Sequence, residues 1–432
     1  MEANDVKPDW GFGKRLLFRY LFSYLFLFIF PFPLYYIPYV GQALGPFFDL
    51  WEKGTLWMGR LVFGREIVVH PSGSGDTAHD WADFFFRLLL AVAVTLVWSL
   101  LGLLLRKRKR LDYDRLHGWL RIYVRFSLAS AMISYGAYKL IPSQMPAPTL
   151  DRLLQPLGDA SPMGLLWTFM GASAAYSIFT GAAEMLGGLL LTTRRTTLLG
   201  ALVSIGVMSN VVMLNFSYDV PVKLYSSHLL FEAFFLAAPD LRRLLDVLVL
   251  NRPSEPAPLR PLFRRRGLEW GTLALRTAFV GFLAWQSLNL SYKTWSTYTP
   301  ESRAKTPLHG IWNVDELAID GQVRPPLLTD EQRWQRVVFD VPGQMAVFRM
   351  SDTRDRYNVE VDEKKKTLAM TDRFNPERKI TVAYRQPAPD RLALEGTFDG
   401  RKIRALLHRA RTPEFLLLTR GFHWINETPY NR

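Results

Sequence analysis

Residues 161–236 read SPMGLLWTFMGASAAYSIFTGAAEMLGGLLLTTRRTTLLGALVSIGVMSNVVMLNFSYDVPVKLYSSHLLFEAFFL. Three apolar runs lie in this stretch, long enough for a bilayer core, which takes about 20 residues of helix. Gly171, Ala175, Ala183 and Gly187 stand at four-residue spacing, the pattern that lets helix backbones approach closely in lipid. The runs are joined by two tight connections, Arg194-Arg195 and Asp219-Val220-Pro221. Glu184, Asn210, Asn215, His228 and Glu232 lie within them, and ionisable groups at that depth are costly unless they face the bundle interior.

The remainder of the chain supports a membrane reading. Of its 432 residues, 49% are hydrophobic and 14% aromatic, and the apolar residues come in blocks. The net charge of +14 is no sign of a nucleic-acid partner, because the basic residues cluster beside helix ends as the positive-inside rule requires. The absence of cysteine excludes disulfides, thiol relays, iron–sulfur ligation and cysteine zinc sites. Any redox role must therefore rest on a bound cofactor or a lipid-soluble substrate.

Seven spans are expected. The first covers Leu16–Val40, interrupted near Pro31 and Pro33, and reads as a retained anchor rather than a cleaved leader. An amphipathic stretch, Gly41–Gly64, suits an interfacial helix. The polar, glycine-rich segment His70–Thr77 lacks the ending of a phosphate loop and reads as a structured loop. Further spans are expected at Phe84–Leu105, His117–Ile141, Met163–Thr192, Thr197–Tyr218, Val222–Ala238 and Leu268–Tyr292. Basic clusters at Lys14-Arg15, Arg106–Arg110, Arg194-Arg195 and Arg260–Arg266 then fall on one side. That predicts a bacterial inner-membrane protein with a cytoplasmic N-terminus and an exported C-terminal domain.

From Thr306 to Arg432 the pattern changes to short alternating runs such as Arg336–Asp340, Arg356–Val361, Lys379–Tyr384 and Phe415–Thr419. Turn residues separate them, as in an antiparallel barrel or sandwich. Gly310-Ile-Trp312 in the first strand and Arg420 in the last resemble the lipocalin-type signature. That resemblance implies that an arginine covers a tryptophan at the closed end of a barrel.

Residues 120–250 carry a second resemblance. Arg121 and Arg125 precede Tyr135-Gly136-Ala137-Tyr138-Lys139-Leu140, and Gly181-Ala182-Ala183-Glu184 leads into Gly187-Gly188 and Arg195. With His228 in the last helix, this region resembles the DoxX-like family of four-helix membrane proteins. The resemblance implies membrane-bound, quinone-linked redox chemistry with a redox partner protein, although many members have no assigned activity. The expected organisation is a two-span N-terminal region with an interfacial helix (1–115), a DoxX-like unit (116–250), a basic segment with the seventh span (251–305), and a lipocalin-like β domain (306–432).

Candidate site residues follow. Arg125 and Glu184 fall roughly 10 and 12 Å from the cytoplasmic end of their helices by helical rise and are expected to pair; the bland alternative is snorkelling of Arg125 to the headgroups. His228 and Glu232 share a helix face and, with Lys139 and Glu184, are candidates for proton transfer. Asn210, Asn215, Tyr218 and Asp219 are candidates for holding a polar headgroup, with Lys223 beside them. Polar residues that merely cross-link helices are the competing account. His228 and Glu232 offer two metal ligands and no second haem axial group, so neither metal nor haem is expected. Two function classes remain open: a bundle that binds a quinone or similar isoprenoid, or a non-catalytic protein that handles membrane lipids or holds an apolar ligand in its barrel. A weaker third is an analogy of architecture with vitamin K-dependent carboxylases.

Overall fold

The structure is a computed structural model that describes residues 10–69, 72–104, 113–256 and 266–431. The basic runs 106–110 and 260–265, and His70 at the start of the glycine-rich segment, lie outside the described residues. The chain forms two compact units, residues 1–137 with 180–287 and residues 138–179 with 288–432.

The first unit is helical. Its elements are α1 (Phe12–Ile29), α2 (Val40–Ala43), α3 (Gly45–Phe63), α4 (Ala78–Leu104) and α5 (Tyr113–Leu140). After the second unit's α6 (Leu150–Leu153) and α7 (Pro162–Ala172) come α8 (Ala174–Leu191), α9 (Thr197–Ser217), α10 (Lys223–Ala237), α11 (Leu241–Leu248) and α12 (Arg266–Thr297). Helix covers much of each expected span, and among the described residues four stretches are long and apolar enough to cross a membrane: Phe12–Tyr36, Ala78–Leu104, Ala174–Leu191 and Thr197–Ser217. The other three differ for visible reasons. Arg115, Arg121 and Arg125 interrupt α5, α10 has only 15 residues, and Glu269, Arg276 and Lys293 punctuate α12.

Small residues set the spacing in this unit. A Cβ on Gly136 of α5 would come within 2.7 Å of the Met185 backbone nitrogen in α8, and one on Gly188 within 3.0 Å of the Ala129 carbonyl. Gly200 of α9 is held as tightly against Leu190 and Leu191. Around these contacts Phe18, Leu25, Leu128, Met132, Leu191, Met208 and Leu236 form one buried cluster. Gly187, one of the small residues the sequence pattern named, is held against the Ser204 hydroxyl in the same way, while Gly136, Gly188 and Gly200 lie outside that pattern.

The single helix expected over Met163–Thr192 is broken at Ser173, whose backbone is extended. Its hydroxyl accepts the Tyr176 N–H, and the Ser177 hydroxyl donates to the Met170 carbonyl at 2.9 Å. Gly171 is pressed against the Pro146 carbonyl. The break is thus a capped junction of α7 and α8, with side chains taking over the backbone partners that a continuous helix would use.

The second unit is built on a closed barrel of eight antiparallel strands. After α13 (Pro300–Ala304) come β1 (Gly310–Ile319), a two-residue β2 (Gln322–Val323), β3 (Trp334–Phe339), β4 (Gln344–Arg349) and β5 (Arg354–Asp362). β6 (Thr367–Asp372), β7 (Lys379–Ala388), β8 (Arg391–Phe398) and β9 (Arg401–Arg409) follow, then α14 (Leu416–Thr419). Strands β1 and β3–β9 pair in chain order, and β9 returns to β1 with Trp312 opposite Arg409 and Ile319 opposite Ile403. Asp399-Gly400 turns β8 into β9 with both residues at positive φ, the conformation a two-residue hairpin needs.

Alternate residues point inward. Trp312, Leu317, Trp334, Phe339, Tyr357 and Leu394 are at most 4% exposed, and Phe398 packs edge-on against Trp334 and Tyr357 with centroids 4.9 and 5.9 Å away. An eight-stranded barrel has an interior that side chains can just fill, and aromatic rings occupy it here. On the outer face, Leu150 and Leu154 pack on Ile311, Val338 and Phe348. Asp340, 6% exposed, accepts the Leu150 N–H at 2.7 Å and Arg303 at 3.0 Å. Asp151 takes Arg354 and Arg356, each at 3.0 Å. Burial alone would raise the Asp151 carboxyl, but Arg356, the Thr149 hydroxyl and Arg354 outweigh it and hold the group below its ordinary value of 3.8.

Two expectations for the barrel are corrected. Phe415–Thr419 is not the last strand but the short α14; three consecutive leucines have no inward–outward alternation, whereas Arg401–Arg409 alternates and closes the barrel. Arg420 does not cover Trp312. Its guanidinium lies 4.6 Å from the Tyr430 ring and hydrogen-bonds His423 and Asn426. The arginine over Trp312 is Arg409, 6.0 Å from the ring centroid, and it donates to the His309 carbonyl at 2.8 Å.

Candidate functional site

The most distinctive constellation in the helical unit surrounds His228, one turn into α10. Nδ1 lies 2.7 Å from the Leu224 carbonyl, which only accepts, so Nδ1 carries the hydrogen. Nε2 is left as an acceptor, and the Tyr24 hydroxyl of α1 donates to it. Phe28, one turn beyond Tyr24, stacks on the imidazole at 4.1 Å and 12°, and Phe84 of α4 meets it edge-on at 5.6 Å. The histidine is a neutral ring fixed by hydrogen bonds in its plane and aromatic rings around it.

This ring forms part of the wall of a cavity of about 480 Å³. Phe28, Phe84, Tyr135 and Tyr225 supply aromatic wall, and Asp80, Asp83 and Arg87 of α4 supply charge. Arg87 donates Nε to Asp83 at 2.7 Å and Nη1 to the Leu27 carbonyl, and its guanidinium lies 5.0 Å from the Trp51 ring. Trp51 donates to Asp83 at 2.6 Å. The Asp83–Arg87 pair, four apart on one helix face, is thereby locked in place. The Tyr225 hydroxyl has no hydrogen-bond partner among the described residues, and the residue is 39% exposed.

The glycine-rich segment closes one side of the cavity, which the sequence alone did not assign to it. Gly73, Ser74 and Gly75 line the space, and Gly75 donates to the Pro221 carbonyl at 2.8 Å. The carboxylate of Asp76 accepts the Lys223 and Leu224 N–H groups at 2.8 and 2.9 Å. It therefore caps α10 from a distant part of the chain, satisfying donors that a helix start leaves open. The loop and the histidine-bearing helix are one assembly.

The sequence-selected residues distribute unevenly. His228 is in the cavity wall. Glu232, one turn on, is fully buried, and neither of its oxygens has a hydrogen-bond partner among the described residues. The Ser127 hydroxyl lies beside it, and Tyr123 and Tyr225 are within electrostatic range. Asn215 is buried and donates to Ser226 at 3.0 Å, tying α9 to α10. Asp219 is exposed and accepts Lys223 at 2.7 Å, Tyr218 is half-buried at the end of α9, and Asn210 is exposed. Asn210 therefore faces away from the interior in which it was expected. Glu184 and Lys139 are both buried.

Arg125 does not pair with Glu184. Its Nη1 reaches Thr197 at 3.4 Å, and its guanidinium lies 5.0 Å from the Phe126 ring. The long side chain extends toward the turn between α8 and α9 rather than across to the carboxylate. Tyr24, Asp83, Arg87 and Tyr225 were missed. Only Asp83 and Arg87 left a signal, as paired charges four apart inside an apolar helix. The tyrosines look like ordinary core residues until α1 and α10 are brought together. Among the described residues, no group of three or more histidine, aspartate or glutamate side chains is arranged to hold a metal ion.

Comparison with known proteins adds one relative. Over 143 residues the chain is 29% identical to the uncharacterized protein YwoB of Bacillus subtilis (strain 168), which covers 33% of this chain and 87% of that protein. No family profile matches the chain. No solved structure matches it.

Proposed function

We propose that the helical unit binds the ring of an isoprenoid quinone, or a related amphiphile with a flat carbonyl-bearing head, in the cavity beside His228. The observation that carries this reading is the fixed neutral imidazole, held by Tyr24 and Leu224, in a cavity whose wall includes the rings of Phe28, Phe84, Tyr135 and Tyr225. A flat conjugated head matches such walls by offset or edge contacts. The unpaired Tyr225 hydroxyl offers a donor for a carbonyl oxygen, and the Tyr24–His228 pair offers a place to keep a proton. Exposed apolar side chains such as Leu89, Val92 and Leu96 on α4 suit an isoprenoid tail and surrounding lipid. The DoxX-like resemblance of residues 116–250 agrees with this ligand class.

The reading is of binding. We also assign the chain to a bacterial inner membrane, N-terminus inside and barrel outside. The support is the placement of its basic runs, and a reporter fused after Arg432 should be active only outside the cytoplasm. The barrel is not chosen as the ligand chamber because aromatic side chains fill its interior.

The test is the quinone content of protein purified in mild detergent, measured by mass spectrometry of the lipid extract. Loss of one hydrogen bond or stacking partner is worth about tenfold in affinity, so His228→Ala and Tyr225→Phe should each lower co-purified quinone several-fold in folded protein. Equal quinone in wild type and both variants would break the proposal. Phospholipid alone in the wild-type extract would favour the lipid-handling alternative.

A further inference from the structure

We propose that α11 is an interfacial helix whose leucine face lies in the headgroup region of a lipid bilayer, on the side where α9 begins. The inference rests on the membrane placement proposed above and is independent of the His228 cavity. α11 reads Leu241-Arg242-Arg243-Leu244-Leu245-Asp246-Val247-Leu248. Leu241, Leu245 and Leu248, at i, i+4 and i+7, share one helix face, and they are 56, 45 and 73% exposed. Val249, 70% exposed, extends the stripe. Arg242, Arg243 and Asp246 fall together on the other side of the helix. Apolar side chains thus face outward, against the preference of a surface helix in water.

The polar side fixes this orientation. Arg243 donates Nη1 to Asp240 and Nε to the Glu255 carbonyl at 3.0 Å, and the Asp246 carbonyl accepts the Arg252 N–H at 2.7 Å. Asp240 also lies 3.7 Å from Arg121 of α5. These ties hold the charged side to the helical unit and leave the leucines outward. The depth of α11 follows from α9, which is long and apolar enough to cross a membrane. Its 21 residues make about 31 Å by helical rise, the thickness of a bilayer core. α10 runs back beside it, with Asn215 joined to Ser226, and a single turn, Ala238–Asp240, leads into α11. Counting equal numbers of residues back from Asn215 and on from Ser226 brings Leu241 level with Gly200, in the first turn of α9. That is where the core gives way to headgroups. A helix with leucines on one face and arginines on the other suits this boundary, since the leucines reach acyl chains while the cations stay at the polar surface.

The chain has no cysteine, so a single spin label can be placed without other changes. Nitroxides are attached to Leu245→Cys, Leu248→Cys and Arg242→Cys in the full chain, reconstituted in nanodiscs of phosphatidylcholine and phosphatidylglycerol. Power saturation then compares collisions with oxygen, which concentrates in lipid, and with a water-soluble nickel chelate. The Leu245→Cys and Leu248→Cys labels should favour oxygen severalfold more than the Arg242→Cys label. A label on Leu96→Cys, at an exposed position of α4, reports the membrane placement itself and should favour oxygen most. Nickel access to the two leucine positions equal to that at Arg242→Cys, with Leu96→Cys in lipid, would overturn the interfacial helix and leave the placement standing. Nickel access at Leu96→Cys as well would overturn the placement and the inference with it. Shielding of Leu245→Cys and Leu248→Cys from both reagents would overturn the lipid contact in favour of a protein partner or a second copy of the chain.

Discussion

The two units solve the problem of a buried core in opposite ways. In the barrel, large side chains do the filling: Trp312, Trp334, Phe339, Tyr357 and Phe398 interdigitate inside a closed hydrogen-bonded wall. In the helical unit, contact is made by removing side chains. Gly136, Gly188 and Gly200 let backbones touch, and polar groups such as Asn215 and Ser226 join the helices where they meet. On the membrane placement proposed above, the difference follows from the partner each apolar surface has outside. A barrel in water gains from burying every large apolar group, whereas helices in lipid gain little that way and associate by close packing and polar links. A fixed polar cavity such as that at His228 therefore belongs more naturally to the helical unit.

The comparison is most easily broken at Trp312. It is 1% exposed, hydrogen-bonds the Leu308 carbonyl and sits at the junction of β1 and β9. Trp312→Ala should cost about 3–5 kcal/mol, the usual loss for a buried large aromatic. Chemical denaturation followed by barrel-specific hydrogen exchange reads this directly. A loss below 1 kcal/mol, by the same scale, would mean that the interior is loose enough to host a ligand after all.

A smaller effect is expected at the polar strap on the barrel's outer face. Asp151 is held below its ordinary value by Arg356, Thr149 and Arg354, despite burial that opposes this. A depressed carboxyl stabilises the fold above its unfolded-state value of 3.8, and that contribution is lost as pH falls through the lower folded value. Asp151→Asn should therefore cost about 1.5–3 kcal/mol near neutral pH, the range for charge-assisted hydrogen bonds, and should flatten the acid limb of stability against pH. An unchanged acid limb in the variant would assign the pH dependence to other carboxylates.

In the helical unit the sensitive change adds atoms instead of removing them. Gly136→Val puts a branched side chain where a Cβ alone would stand 2.7 Å from the Met185 nitrogen and 2.8 Å from the Gly181 carbonyl. Overpacking of this kind typically costs about 1–3 kcal/mol, read as a lower midpoint of detergent-solubilised protein. The same substitution at Gly206, where nothing lies within 4 Å, should be nearly silent. Equal effects at the two positions would show that helix propensity, not close approach, governs this unit.

What the sequence disclosed follows the range of the forces involved. Strands β3, β5 and β7 were visible because alternation is local, and the close contact of Gly187 was visible because small residues recur at four-residue spacing along its run. The break at Ser173 was hidden because the run is apolar on both sides of it, and the close approach of the Pro146 carbonyl to Gly171 beside it comes from elsewhere in the chain. The His228 cavity was half-legible for the same reason: the histidine was evident, but Tyr24, Arg87 and the Gly73–Gly75 loop reach it from three distant segments. Arg125 was recognised as a buried cation, yet the contacts it makes are to Thr197 and the Phe126 ring rather than to Glu184.

The smallest expected effect distinguishes two arginines that the sequence could not tell apart. Both Arg409 and Arg420 follow apolar stretches near the chain end, and an arginine over Trp312 was expected from Arg420. Register explains why Arg409 takes that place: β9 pairs with β1 so that Arg409 lies directly across from Trp312, while Arg420 comes after α14 and engages only Tyr430, His423 and Asn426. Arg409 also satisfies the His309 carbonyl at 2.8 Å, so its loss removes a ring contact and a hydrogen bond together. The cation–π share is worth about 0.5–2 kcal/mol, and the 6.0 Å separation puts it at the outer edge of that interaction. Arg409→Ala should therefore destabilise the barrel by about 1 kcal/mol, and Arg409→Lys should recover part of this, since an ammonium keeps the charge but not the planar fork. Arg420→Ala should stay within about 0.5 kcal/mol of wild type, as surface changes usually do. If the two alanine variants ranked in the opposite order, the closure of the barrel at Trp312 by β9 would have to be reconsidered.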